Sequence, residues 1–315
     1  MRDLSCSRRS FLGLAGGVAA VAGLGLVGCG GSGSEGGDAA ESLTGTINCS
    51  GATSFQPLVE AVVPGFNEQY PDVVVAISGG GSGDGISGIA DGSVQIGRSD
   101  VFAEEKLEDT SQLEHLVDNQ VCIVGMGPIV NGSVDIDDIS TEQLRGIFTG
   151  EITDWSEVGG SAGAIAVINR EAGSGTRATF ENAVLQGAEV PADFTPVAEV
   201  DSSGTVVEQV AATEGSISYV AFNYYETNEG IKALSVDGVE PTRENVETGD
   251  FNIWAYEHMY TRDDEDESTA AITKAFIDYI MSEEVQSSVV VEQGFIPMTD
   301  MKVQKDVEGN VTPVE

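Results

Sequence analysis

At 315 residues with 41% hydrophobic content, the chain is long enough for two compact domains with real cores. Its 52 acidic side chains against 14 Lys and Arg give a formal net charge of -38. Such an excess repels nucleic acid and anionic lipid, so no nucleic-acid partner and no basic membrane footprint is expected.

The first 28 residues read as an address rather than as fold. Paired arginines in SRRSFL (Ser7 to Leu12) precede an apolar run from Phe11 to Val27, the layout of a twin-arginine export signal. The run ends in LVGC, Leu26 to Cys29, which resembles the lipobox of bacterial-type lipoproteins. On that reading Cys29 is lipidated and holds the protein at the outer face of the cell membrane. The alternative is an uncleaved anchor, for which an apolar run of ~17 residues is at the lower limit. Either way the folded part lies outside the cytoplasm. Residues 29–43 are rich in Gly and Ser without apolar period and read as a flexible tether.

From Thr44 onward, strand and helix patterns alternate. GTINCSG is a strand ending in a Gly/Ser turn. Phe55, Leu58, Val59, Val62, Val63, Phe66 and Tyr70 then form the stripe of an amphipathic helix, which Pro64 should kink or split. Strands follow at Val73 to Ser78, in VQIG and at Val121 to Met126, with a short helix around Ile86 to Ala90 between the first two. Ser140 and Gln143 have the spacing of a capping box ahead of Leu144, Ile147 and Phe148, and Gly150 closes that helix. IAVINR is a strand, GTRATFENAVL a helix and Ile217 to Phe222 a strand. Ser268 to Glu292 reads as one long helix. Repeated strand–helix units predict an α/β fold with mostly parallel sheets flanked by helices.

Three helix starts share one chemistry: GATSF (Gly51 to Phe55), GGGSGDGI (Gly79 to Ile86) and REAGSGTR (Arg170 to Arg177). Each places hydroxyls and glycine-flanked N–H groups at a helix N-terminus, where backbone donors lack acceptors and the dipole favours an anion. Singly, each is an ordinary N-cap and turn. Together they suit a tetrahedral oxyanion, and Arg170 adds a bidentate donor. The P-loop pattern is absent.

These segments resemble the phosphate-binding proteins of bacterial-type phosphate ABC importers, over nearly all of Thr44 to Pro297. GATSFQPL, SGGGSGDGI, the QIGRSD run, LRGIFTGEITDWSEVGG, NREAGSGTRATF and ISYVAF carry the resemblance, in family order. It implies a two-lobed periplasmic-binding-protein fold of type II, hinged to close on one phosphate. Residues 44–125 and 220–315 would form the first lobe and 126–219 the second, with crossovers near Gly125 and Val220. Carried over by motif, Thr53 and Ser54, Ser82, Asp100, Arg170, Ser174, Gly175 and Thr176 would bind phosphate. Asp100 matches the carboxylate that accepts a hydrogen bond from protonated phosphate, a proton that sulfate lacks. The implied partners are inorganic phosphate and an ABC permease and ATPase, with the protein itself a monomer and no cofactor. One departure is Ala172, where the family often has an acid that holds the arginine; Glu171 lies one residue earlier.

Competing readings fare less well. Another oxyanion such as sulfate, molybdate or tungstate conflicts with Asp100. A non-transport surface sensor or adhesin on the same fold leaves no mark in the residues. A hydrolase built on Ser174 needs a base or a metal, yet His115 and His258 each stand alone, and the cysteines at 6, 29, 49 and 122 lack CxxC spacing. No catalytic residue and no metal site is therefore expected. Cys49 and Cys122 are either buried thiols in neighbouring strands or a disulfide pair. Trp155 is expected to pack a loop, and the DDEDE run (Asp263 to Glu267) to be a solvated loop rather than a calcium site.

Overall fold

The computed structural model describes residues 43–225 and 227–314. The expected export signal, the lipidated Cys29 and nearly all of the tether lie outside the described residues. In chain order the elements begin with β1 (Gly45–Gly51), α1 (Gln56–Gln69), β2 (Val73–Gly80), α2 (Ser82–Ala90), β3 (Ile96–Ser99) and β4 (Leu116–Asn131). There follow β5 (Asp138–Ile139), α3 (Thr141–Thr149), β6 (Ala166–Arg170), α4 (Gly175–Val184), β7 (Ala198–Val200), α5 (Ser203–Ala212) and β8 (Ser216–Ala221). The chain ends with β9 (Ile231–Ala233), β10 (Ser235–Val236), α6 (Arg243–Thr248), β11 (Trp254–Arg262), α7 (Glu267–Ile280), α8 (Glu283–Ser287), α9 (Val289–Glu292), β12 (Val303–Lys305) and β13 (Val311–Pro313). Among these, no helix is long and apolar enough to cross a membrane.

The main sheet runs β2-β1-β3-β11-β4-β8-β6-β7, with β9 also on β4. β4 is its spine. Its N-terminal part pairs antiparallel with β11 up to Gly125, and from Met126 it pairs with β8 instead. The first lobe gathers around β2, β1, β3 and β11, and the second around β8, β6 and β7. Residues 231–236, assigned by the sequence to the first lobe, pair with Ile129–Asn131 and with β5 of the second. The chain rejoins the first-lobe sheet only at Trp254.

Local physics explains where the elements stop. α3 has the capping box formed by Ser140 and Gln143 and ends on Gly150 in the left-handed conformation. Pro64 does not split α1, because Leu58, Val59, Val62 and Phe66 on one face are all buried, which outweighs one lost hydrogen bond. The long C-terminal helix is in fact three. Ser282 interrupts it by accepting from the Val285 amide as a new N-cap, and Ser288 leaves helical geometry before α9.

Cys49 and Cys122 are free and buried. Their strands are not neighbours, since β3 and β11 lie between them, which sets them roughly 14 Å apart at about 4.8 Å per strand. That is beyond disulfide reach. Burial raises both thiols above their ordinary pKa, for Cys49 against the opposing pull of Arg98. A chain beginning at Thr44 should therefore show no reaction with a thiol reagent while native. In denaturant both thiols should titrate. Rapid native labelling would mean that one of these strands opens freely.

Candidate functional site

The predicted residues converge where the lobes meet. Thr53, Ser54, Ser82, Asp100, Arg170, Ser174 and Thr176 are each no more than 8% exposed, and Gly175 is buried with them. Burying so many polar groups in one place is costly unless they are paired, and here each finds partners.

The first lobe supplies the floor. β1 delivers the chain into the turn before α1, whose N-cap, Phe55, supplies no side-chain cap. Ser54 Oγ donates to Asp100 Oδ1 at 2.5 Å. The Asp100 amide donates to Ser82 Oγ at 2.9 Å, which ties the end of β3 to the start of α2. α2 also lacks a side-chain cap, because its N-cap is Gly81 at φ 87°, a conformation that a Cβ disfavours. Two helix N-termini thus face the same spot with their first-turn amides unclaimed by a capping side chain.

The second lobe closes over this floor. Ser174 caps α4, its Oγ accepting from the Arg177 amide at 3.2 Å. Thr176 Oγ1, on the second residue of that helix, donates to Asp100 Oδ2 at 2.7 Å. One carboxylate therefore accepts from a hydroxyl of each lobe. The Gly83 amide donates to Gly173 O at 2.9 Å, a backbone bond across the lobes that uses no side chain. Gly175 fits only because it is glycine: an added Cβ would lie 2.1 Å from Ser82 Oγ and 3.0 Å from Asp100 Cβ.

Arg170 sits at the end of β6, 1% exposed. Its Nη2 donates to Asp201 O at 2.9 Å and reaches Thr53 Oγ1 of the other lobe at 3.3 Å. Nε donates to Val200 O and Nη1 to Ser203 Oγ, both at 3.3 Å. Burial pulls the guanidinium down from its ordinary pKa, while Tyr219 and Asp100 push it back. The acid missing at Ala172 is replaced by carbonyls: the chain leaving β7 turns two of them onto the guanidinium. Glu171 is exposed.

Sequence reasoning missed Ser203. It is fully buried, its Oγ is 3.2 Å from Thr53 Oγ1, and its amide donates to the same Thr53 oxygen at 3.1 Å. The signal was present, because SSGT (Ser202 to Thr205) after β7 repeats the Ser-Gly-Thr order of the α4 turn. The side chains of Tyr224 and Asn223 donate to Thr53 O at 2.8 Å and Ser54 O at 3.2 Å and hold the first turn in place. Burial raises the Tyr224 hydroxyl to about 12, so it stays a donor at any ordinary pH.

The histidines do not stand alone. His258 Nδ1 lies 2.8 Å from Asp118 Oδ1, and His115 Nδ1 lies 3.0 Å from Asp263 Oδ1. Neither contacts Ser174, whose hydroxyl is engaged as an N-cap. Trp155 is 3% exposed and donates to Gly215 O at 2.9 Å, a packed loop residue. In the DDEDE run, Asp266 caps α7 and Asp264 pairs with Arg262.

Comparison with known proteins agrees with this geometry. A family model described as a PBP superfamily domain matches residues 36–284. The phosphate-binding protein PstS of Bacillus subtilis is 45% identical over 278 residues, covering 88% of this chain and 89% of that protein. Among solved structures, a phosphate ABC transporter substrate-binding protein from Clostridium perfringens, titled as holding bound phosphate, superposes with a TM-score of 0.71 at 31% identity. It covers 81% of this chain and all of its own. An ABC-type phosphate transport receptor from Vibrio cholerae gives a TM-score of 0.63 at 27% identity, covering 79% of this chain and 99% of that one.

Proposed function

The chain belongs to the PBP superfamily and, within it, to the family of the phosphate-binding protein PstS, and from that premise we propose that it is an extracytoplasmic receptor for inorganic phosphate. It would hand the ion to an ABC permease and ATPase, catalysing nothing itself. The observation that carries the reading is Asp100, a buried carboxylate at the junction of two lobes whose other groups are mostly donors. An anion with its own proton satisfies that acceptor, and an anion without one leaves two acceptors face to face, a cost of a few kcal/mol or more. The export signal and the LVGC motif support anchoring through a lipid on Cys29, with residues 29–43 as tether. The overall charge of -38 acts from a distance at which salt screens it, within about 8–10 Å, so it bears on association rate more than on affinity.

Calorimetry on the chain from Thr44 onward decides the matter. Phosphate should bind one to one at micromolar or tighter affinity, and sulfate should give no heat. Tight sulfate binding would remove Asp100 from its role. A third arm tests closure. Gly175→Ala puts a methyl group against Ser82, and overpacking of about 1–3 kcal/mol should weaken phosphate roughly 5- to 150-fold. The clash is present in the structure as it stands, so the empty protein should also melt lower, and an unchanged melt would show that the lobes stand apart until phosphate binds.

A further inference from the structure

Glu257 lies in the middle of β11, is 0% exposed, and sits opposite Cys122 of β4. A charged residue inside a strand otherwise reading WAYEHMY is an anomaly that none of the roles above absorbs. On its other side β11 pairs antiparallel with β3, matching Tyr260 to Gly97, Met259 to Arg98 and His258 to Ser99. One step further, that register sets Glu257 opposite Asp100, on the same face of the sheet. Neither carboxyl oxygen of Glu257 completes a hydrogen bond of ordinary geometry, although Asp100 and the Ser54 hydroxyl stand within reach.

An ionised glutamate in this position would be buried, unpaired and beside another carboxylate. Desolvation and the Asp100 charge together drive its pKa well above the ordinary carboxylate range, against a weaker opposing pull from Arg98. As a neutral acid it gains a donor, and the acceptor facing it is Asp100. The buried charges then are Arg98, Arg170 and Asp100, a surplus of one positive charge ready for an anion; a second ionised carboxylate would cancel it.

We propose that Glu257 is a proton-bearing positioning residue, a neutral carboxylic acid that donates to Asp100 and holds it oriented as the selectivity acceptor. This rests on the phosphate-receptor reading for its consequence but not for its first test. In full-length protein free of phosphate at neutral pH, infrared difference spectra of wild type against Glu257→Gln should show a protonated carboxylic acid band that the variant lacks. Absence of that band overturns the proposal whatever the phosphate affinity. Phosphate calorimetry then reads the positioning. Glu257→Gln keeps a donor of the same shape and should stay within roughly threefold of wild type, while Glu257→Leu, with no donor, should lose about tenfold or more. Equal loss in both variants, or none in either, overturns it too. Should Glu257→Leu not fold, the band and Glu257→Gln decide. A wild type that fails to bind phosphate sinks the receptor reading instead, and the infrared result is independent of that.

Discussion

Arg170→Ala is expected to cost phosphate binding more than any other single change. The guanidinium is buried at the lobe junction, with carbonyls on one side and Thr53 of the opposite lobe on the other. Two carbonyls hold one edge of the fork, and its 3.3 Å contacts to the Thr53 and Ser203 hydroxyls are the ones an oxyanion would replace with two charge-assisted bonds, at a place where the charge is little screened. Two charge-assisted bonds at about 1.5–3 kcal/mol each put the loss between roughly a hundredfold and ten-thousandfold. Arg170→Lys should recover only part of this, because an ammonium keeps the charge and loses the fork. The structure adds a second effect. Truncation leaves Asp201 O without its buried donor, while Val200 O keeps the Glu171 amide at 3.1 Å, so the empty protein should also lose about 1–3 kcal/mol. Calorimetry and thermal melts of both variants check the two effects separately. Phosphate affinity within threefold of wild type in Arg170→Ala would exclude Arg170 from the ligand's contacts.

Asp100→Asn should change which anion is taken as well as how tightly. The carboxylate accepts from Ser54 and Thr176, and as a phosphate receptor it would accept a third time from the bound ion. Asparagine preserves the shape but turns one acceptor into a donor. Phosphate should lose the bond from its own proton, an effect of about 1.5–3 kcal/mol, or roughly 10- to 150-fold. Sulfate should move in the opposite direction, from no detectable binding to measurable binding, since its oxygen then meets an N–H rather than a carboxylate. The phosphate-to-sulfate ratio of Kd values is the quantity to follow. An unchanged ratio would show that discrimination resides elsewhere.

What the sequence disclosed, and what it withheld, follows from the range of the interactions. The α4 turn was legible because N-cap chemistry is local: Ser174, Gly175 and Thr176 announce a helix start within three residues, and Arg170 ends the strand before it. Resemblance then supplied Asp100, which composition alone would have left as one acid among many. Ser203 was readable in the same local way and was overlooked. Glu257 was not readable at all, because its meaning lies in a strand register that brings residues 157 positions apart face to face. The C-terminal helix was misjudged for a further reason. A continuous apolar stripe hides breaks made by Ser282 and Ser288, whose hydroxyls compete with helical hydrogen bonding.

β4 contributes sixteen consecutive residues to a sheet whose two ends belong to different lobes. Neither half can surrender its pairing without stripping an edge from the other. Heat or urea therefore meets one cooperative body rather than two modules in series, and a destabilising change on either side lowers the melting point of both. As a receptor that closes on its ligand, the molecule would bend where β4 changes partner, between Gly125 and Met126, and so be pliant in function and indivisible in unfolding.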